Sequence, residues 1–271
     1  MRILRHGSFF GSSLAPRSVG PFQIACMLPT VPMEEMQVHT HSDVHFVLVL
    51  SGAYQSLAYG AERVSHGPAL VFNPAGTEHR DCFLNLNGSF MTVSIAADRA
   101  RGLSDGLPSS HPLRLHDLRL AMSLFRSLDD DDAVHGEALA LELLDATTAS
   151  RCGETASRHP PPWLKLAREL IQDRHHQALG LEEIAGELDV HPVHLTRAFR
   201  KFTRQTPGEY HRQCRMERAM GLLIGGKLTT LEACLVAGYT DQPHFYRCFN
   251  AMYGMAPGAF RRITGLFRTR L

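Results

Sequence analysis

Two stretches of the chain carry the same pattern of apolar and polar positions. Leu181, Ile184, Ala185 and Leu188 fall at i, i+3, i+4 and i+7, which marks one face of a short helix. Asp189-Val190-His191 breaks that period, and Pro192 suits the first turn of a second helix, where no backbone N–H is needed. The second helix turns Leu195, Ala198, Phe199 and Phe202 inward and Val193, Thr196, Arg197, Arg200 and Arg204 outward. Further on the design recurs. Thr229 and Glu232 form a capping box, Gly238 ends that helix as a left-handed residue, and Asp241 caps the next. There Phe245, Cys248, Phe249 and Met252 face inward, while Gln242, Pro243, Tyr246, Arg247 and Asn250 face outward. At an offset of fifty the matched pairs are Leu181/Leu231, Glu182/Glu232, His194/His244, Arg197/Arg247, Phe199/Phe249, Pro207/Pro257, Gly208/Gly258 and Arg212/Arg262. Such a repeat is one supersecondary unit built twice, here helix, tight turn, helix.

The first half of the chain reads differently. Short β-type runs at His45–Leu50, Tyr54–Tyr59, Ala69–Phe72 and Phe90–Ile95 are separated by Gly, Asn and Pro turns, the spacing of a small sandwich or barrel. Leu118, Ala121, Met122, Phe125 and Leu128 then repeat with helical period, as do Ala138, Leu141 and the nearby leucines. These predict two helices, broken by the acidic loop Asp129 to Asp132, that cover the barrel or form a dimer seam. Arg151 to Pro162, with Gly153, Ser157 and Pro160-Pro161-Pro162, has linker composition. An amphipathic helix follows through Trp163, Leu166, Ala167, Leu170 and Ile171. The expected organisation is an all-β barrel over 1–97, a helical connector or dimerisation segment over 98–150, a linker over 151–162 and an all-α domain with two helix-turn-helix motifs over 163–271.

Composition changes this picture only through charge. The whole chain is nearly neutral, with 28 Lys and Arg against 27 Asp and Glu. From Trp163 onward, however, 16 basic residues face 10 acidic ones, leaving 12 against 17 before it. A basic domain suits a polyanion, because counterion release drives most nucleic-acid affinity. No apolar run reaches the length of a membrane span, and the N-terminus lacks the core of a signal peptide. Cys26, Cys82, Cys152, Cys214, Cys234 and Cys248 show no C-x-x-C spacing and read as small residues in a reducing cytoplasm.

Two helical hairpins packed for their own sake would account for the Phe and Leu stripes. They would not account for an Arg at the same outward place in both copies, a position suited to bidentate contact with guanine or phosphate. At these residues a resemblance becomes specific. The C-terminal part resembles the DNA-binding domain of AraC/XylS-type transcription regulators. It does so through Leu-Glu-Glu-Ile-Ala from Leu181, His-Leu-Thr-Arg-Ala-Phe from His194, Tyr-x4-Arg-x2-Arg-Ala from Tyr210, Ala-Gly-Tyr-Thr-Asp-Gln-Pro-His-Phe from Ala237 and Phe-x4-Gly-x2-Pro from Phe249. The resemblance implies seven helices, with a rigid one, about Pro207 to Leu223, joining the two motifs. It puts DNA contacts on Val193, Thr196, Arg197 and Arg200, then on Gln242, Pro243, Tyr246 and Arg247. Arg204 stands where the family has a helix-ending Gly. Pro243 has no N–H to donate, so contact there is apolar. The resemblance also implies activation through RNA polymerase.

In the N-terminal half, His39-Thr40-His41, His45, Ser51-Gly52 and Pro74-Ala75-Gly76-Thr77-Glu78-His79 follow in an order that resembles the cupin barrel, a familiar sensor partner of this DNA-binding domain. His39 and His41 share one strand face because the side-chain period is two. With His45 and His79 they make a nitrogen set suited to a divalent transition metal such as zinc, iron, nickel or copper. His45 stands where the cupin pattern has Glu. The alternative use of these histidines is the polar lining of an effector pocket without metal. Two functions are weighed: a transcription regulator whose barrel senses a small molecule or metal, and a cupin metalloenzyme with an accessory helical domain. The second needs an acid or base beside the metal, and none is evident in the sequence. The regulator reading, not an enzyme, is therefore expected, with double-stranded DNA, RNA polymerase, a small-molecule effector and a second copy of the chain as partners.

Overall fold

The computed structural model describes residues 2–14, 16–56, 63–65, 68–100, 111–112, 115–128, 133–149, 160–203, 205–224 and 228–262. The acidic loop Asp129 to Asp132, most of the expected linker, Cys152 and Arg204 lie outside these residues. The chain divides into two compact units, one of Met1–Gly153 together with Asn250–Leu271, the other of Glu154–Phe249.

The first unit is built on a seven-stranded antiparallel sheet in the order β12-β9-β6-β11-β4-β2, with β3 also on β4. Its strands are β2 (Gly11–Ser13), β3 (Arg17–Val19), β4 (Phe22–Pro29), β6 (Asp43–Ser51), β9 (Ala69–Asn73), β11 (Ser89–Ala96) and β12 (His111–Pro112). A second sheet orders β10 (Cys82–Phe83), β7 (Tyr54–Ser56) and β8 (Arg63–Ser65). A third pairs β1 (Arg2–Leu4) with β5 (His39–His41) in parallel. The described strands thus form three separate sheets, with no closed barrel among them. An isolated bridge, His39 to His79, ties β5 to the segment before β10.

Every residue of β6 is buried, so both of its faces carry function or core. Asp43, His45, Val47, Val49 and Ser51 alternate onto one side. Val47 and Val49 pack there with Met27, Tyr54, Val71, Phe83 and Phe90. Strand β4 has no counterpart among the expected β runs, although Phe22, Ile24 and Cys26 alternate with the exposed Gln23. Helices α1 (Leu115–Ser127) and α2 (Ala133–Ala149) pack on each other, α1 also meeting β9 and α2 meeting β3. Leu118, Ala121, Met122 and Phe125 are buried as expected. In α2 the expectation holds for the nearby leucines but not for Ala138 and Leu141. Leu139, Ala140, Leu143 and Leu144 form its buried face, while Leu141 and Ala138 are exposed.

In the second unit, α3 (Pro162–Asp173), α4 (Leu181–Glu187), α5 (Pro192–Thr203) and α6 (Pro207–Ile224) bury Leu164, Ala167, Ile171, Ile184, Ala185, Leu195, Phe199, Tyr210 and Cys214 around one core. Leu181, expected on that face, is 40% exposed at the first position of α4. The loop after α3 is pinned to α6: His211 Nε2 and Arg215 Nε donate to the His175 carbonyl at 2.9 and 2.7 Å. The repeat continues with α7 (Thr230–Val236) and α8 (Gln242–Tyr253), and residues 257–262 are helical again. With these, the described residues match the seven helices expected.

The fifty-residue offset holds for α5 and α8, which begin at Pro192 and Gln242. One helix earlier it is forty-nine. The N-caps are Gly180 and Thr229, the third helical residues Glu183 and Glu232, and the C-caps Leu188 and Ala237. Glu183, not Glu182, is therefore the partner of Glu232. The left-handed residues that follow are Asp189 (φ 51°) and Gly238 (φ 85°), and the second turn is one residue longer before its next helix. Gly238 has no substitute, since a Cβ there would meet the His176 carbonyl oxygen at 2.6 Å. Asp189 holds the same conformation with a side chain that tolerates it.

Candidate nucleic-acid interface and histidine site

Each second helix of the repeat begins on a cap that leaves its outer face clear. Asp241 Oδ1 accepts the His244 N–H at 2.7 Å, and His191 Nδ1 accepts the Val193 N–H at 3.2 Å. A second capping box, Thr206 with Glu209, starts α6, and hydrogen bonds from Thr206 hold the Glu209 carboxyl below its ordinary range. On α5, Leu195 and Phe199 are buried while Val193, Arg197 and Arg200 are exposed and Thr196 is half-buried. The Thr196 hydroxyl donates to the Pro192 carbonyl at 3.0 Å, so its methyl is the group left for an outside contact. On α8, Phe245 and Phe249 are fully buried while Pro243, Tyr246 and Arg247 are exposed and Gln242 is half-buried. Arg197 and Arg247 thus stand two residues before a buried phenylalanine in both copies, and neither makes an ion pair among the described residues.

The four histidines named from the sequence come together in the first unit. His39, His41 and His79 are buried, with ring nitrogens within 4.8 Å of one another. His39 Nδ1 lies 2.9 Å from the Gln37 carbonyl and His79 Nδ1 3.1 Å from the Thr77 carbonyl. A carbonyl only accepts, so both rings carry their proton on Nδ1 and keep a lone pair on Nε2. Gly76 shapes the turn that delivers His79. It has φ 77°, and its N–H bonds the His41 carbonyl at 2.9 Å.

His45 belongs to a second group, with His41 and Asp43, again within 4.8 Å. Its Nε2 is 3.2 Å from Asn73 Nδ2, a donor, and its Nδ1 is 3.4 Å from Asp43 Oδ1. Nε2 is thereby engaged, while Nδ1 meets Asp43 only at ion-pair distance. Asp43 is fully buried and also receives His6 Nδ1 at 3.0 Å and the Gly7 N–H at 2.9 Å on Oδ2. Burial alone would raise its pKa, but His45, Gly7 and His6 together bring it below the ordinary carboxylate value. Burial, then the neighbouring imidazoles, pushes His41 far below the usual histidine range and lowers His79 to about 4. Burial also lowers His39. All three are neutral near pH 7, the state that coordinates metal.

Sequence reasoning saw no acid beside these histidines. The structure supplies two. Asp43 sits two residues from both His41 and His45, and Asp81 two residues beyond His79. Asp81 lines the same pocket, with Oδ2 accepting from Asn73 Nδ2 at 3.3 Å and Oδ1 buried without a partner. The i, i+2 spacing on extended chain was the available signal for both.

Residues 184–263 match a family model described as a helix-turn-helix domain. The chain is 28% identical over 96 residues to the HTH-type transcriptional regulator GbdR of Pseudomonas aeruginosa, covering 35% of this chain and 26% of that protein. It is 28% identical over 120 residues to the bifunctional transcriptional activator/DNA repair enzyme AdaA of Bacillus subtilis, covering 44% of this chain and 57% of that one. Among solved structures it is similar to the C-terminal domain of AraT, a response regulator from Geobacillus stearothermophilus, at 31% identity, 39% of this chain, 88% of that chain and a TM-score of 0.37. The chain therefore spans only part of the length of these curated relatives. A sheet-rich unit followed by a helical region with two helix-turn-helix units defines the class. The C-terminal region contains a helix-turn-helix domain, and the curated proteins it is similar to are named as transcriptional regulators. No helix among the described residues is long and apolar enough to cross a membrane.

Proposed function

We propose that the chain is a sequence-specific DNA-binding transcription regulator, acting in the cytoplasm, whose N-terminal sheets form a cupin-like sensor that modulates DNA binding. The observation that carries this reading is the paired exposure of Arg197 and Arg247 above the buried Phe199 and Phe249. In the mechanism, α5 and α8 enter successive major-groove segments about one turn (34–36 Å) apart. Val193, Thr196, Arg197 and Arg200 serve the first, and Gln242, Pro243, Tyr246 and Arg247 the second. Helix α6 sets their separation, and DNA bends where the groove spacing does not match it. RNA polymerase and a second copy of the chain are the protein partners in this scheme.

The histidine triad fits a divalent transition ion. Of the three buried imidazoles, His39 and His79 keep a free Nε2 lone pair because backbone carbonyls hold their Nδ1–H, the support metal-binding histidines ordinarily receive. His39, His41 and His79 would hold the ion, with the Asp43 carboxylate 3.9 Å from His41 Nδ1. Such an ion supplies an open coordination position for an effector. His45 orients Asp43 in this arrangement.

Selection of binding sites from random duplex DNA by the full chain, then affinity measurement with Arg197→Ala/Arg247→Ala, tests the regulator reading. Selection of a defined site and loss of affinity in the variant are expected, whereas unaltered affinity would sink it. The unpartnered Asp81 oxygen favours a second reading, a metalloenzyme with an accessory helical region, in which Asp81 acts as base. Turnover of a candidate ligand by metal-loaded protein, abolished in Asp81→Asn, would decide for it.

A further inference from the structure

Helix α6 fixes the distance between the two helix-turn-helix motifs, but a single rod leaves the twist of one motif about the other open. A second attachment closes that freedom, and the loop from His175 to Gly180, between α3 and α4, supplies one. On one side the loop is bonded to α6. The His175 carbonyl accepts from His211 Nε2 at 2.9 Å and from Arg215 Nε at 2.7 Å, which occupies both of its lone pairs. The same guanidinium reaches the Gln177 carbonyl through Nη2 at 2.8 Å. On its other side the loop abuts the turn of the second motif. A Cβ on Gly238 would meet the His176 carbonyl oxygen at 2.6 Å and the carbonyl carbon at 3.0 Å. The loop then ends on Gly180, the N-cap of α4, so the backbone that touches the second motif leads straight into the first.

The repeat separates this contact from the needs of the turn. Asp189 holds the matching left-handed place in the first motif at φ 51° with an ordinary side chain, whereas Gly238 stands where a Cβ has no room. The glycine therefore answers to the loop as well as to the conformation. Arg215 fits with equal specificity. It is half-buried and donates to two carbonyls of one loop, an arrangement that uses a planar fork and that the point charge of Lys does not reproduce. These bonds direct its guanidinium into the unit and not toward a phosphate. We propose that Arg215 is a positioning residue for DNA recognition. Through the backbone at His175 and Gln177 it fixes the twist between the two motifs, and so the spacing of the two DNA segments that the chain accepts. The inference rests on the regulator reading above and names what sets its spacing specificity.

Full-length protein first selects a duplex from a random pool, and footprinting on that duplex locates the two protected segments. Affinities are then measured for duplexes with one base pair inserted or removed between them. One base pair moves a segment by about 3.4 Å and turns it by about 34–36° around the axis. Wild type should lose about tenfold in affinity on either change, the size of the penalty for a wrong base pair in a specific site. In Arg215→Ala the affinity for the selected duplex should fall, while the penalty for altered spacing should shrink to about twofold. Arg215→Lys, which keeps one bond, should lie between. Lost stability alone would weaken binding to all three duplexes alike, so the ratio of affinities is the readout. Thr229→Ala, which loosens the end of α7 away from Gly238, should keep the wild-type ratio. Wild-type indifference to spacing, a full penalty in Arg215→Ala, or an equal loss of the penalty in Thr229→Ala would each overturn the inference. Arg215→Lys decides by itself if Arg215→Ala does not fold. A wild-type protein that selects no defined duplex would instead overturn the regulator reading.

Discussion

Helix α5 allows a sharp test, because Arg197 and Phe199 lie two residues apart and point to opposite sides. Phe199 is 0% exposed, packed among Ile184, Leu195 and Tyr210, with the Tyr210 ring centroid at 5.7 Å. Truncating a buried Phe to Ala costs about 3–5 kcal/mol, of which about 0.5–1.5 kcal/mol is the lost ring pair. A domain of this size has only about 5–15 kcal/mol in total. At about 4–8 °C per kcal/mol, Phe199→Ala should lower the melting temperature of the helical unit by more than about 10 °C. Arg197 is exposed, and surface changes stay within about 0.5 kcal/mol, so Arg197→Ala should melt within about 4 °C of wild type. Its DNA affinity should nevertheless fall by about 1–3 kcal/mol if the contact is bidentate to guanine. Differential scanning calorimetry and fluorescence anisotropy on the selected duplex read the two effects separately. A normal melt for Phe199→Ala with lost DNA binding, and the reverse for Arg197→Ala, would refute the assigned facing of the helix.

Other consequences can be checked singly. Thr229→Ala removes the hydroxyl that accepts the Glu232 N–H at 3.2 Å and should cost about 1 kcal/mol in chemical denaturation, with Thr229→Ser restoring most of it. Metal-free protein should lose stability as pH falls from about 6.5, the free histidine value, toward the folded value of about 4 for His79. Within that window the unfolded chain takes up protons that the folded one refuses, so unfolding gains from acid. His79→Gln should flatten that slope in urea titrations. Metal affinity, measured by competition with a chelating dye, should vanish in His39→Ala. It should weaken about 10–100-fold in Asp43→Asn, the usual effect of losing a support to a ligating histidine, and an unchanged affinity there would remove Asp43 from the site.

The helical repeat was legible in the chain because its information is local. Spacing of i, i+3, i+4 and i+7 places Phe199 and Phe249 inside and Arg197 and Arg247 outside whatever the rest of the molecule does. Even so, the repeat's register slipped by one in its first helix. Identical residues at Leu181/Leu231 and Glu182/Glu232 suggested an offset of fifty, whereas capping geometry pairs Glu183 with Glu232 and puts the extra residue in the second turn. Similarity of letters cannot tell an insertion before a helix from one after it. Hydrogen bonds at the cap can. The phase of α2 was legible only in part for a related reason: in Ala-Leu-Ala-Leu-Glu-Leu-Leu nearly every position is apolar, and only packing against α1 and β3 selects Leu139, Ala140, Leu143 and Leu144 as the buried face.

The sheet unit depended more on tertiary structure. By itself the sequence determined which histidines were available and that His39 and His41 share a strand face, because alternation is a property of the single strand. It determined too that a Pro-Ala-Gly turn precedes His79. Whether strands from distant parts of the chain close into a barrel depends on pairing partners, and the described strands form three sheets instead. The roles of the polar residues were settled in the same way. Asp43 and Asp81 became members of the site only when β1, β5, β6 and the segment around β10 were brought together. His6, far away in sequence, then reached Asp43 at 3.0 Å, and Asn73 engaged His45 at 3.2 Å. A hydrogen bond across thirty residues leaves no periodicity in a sequence. The fold alone decides which nitrogen of His39 and of His79 is occupied and which keeps its lone pair.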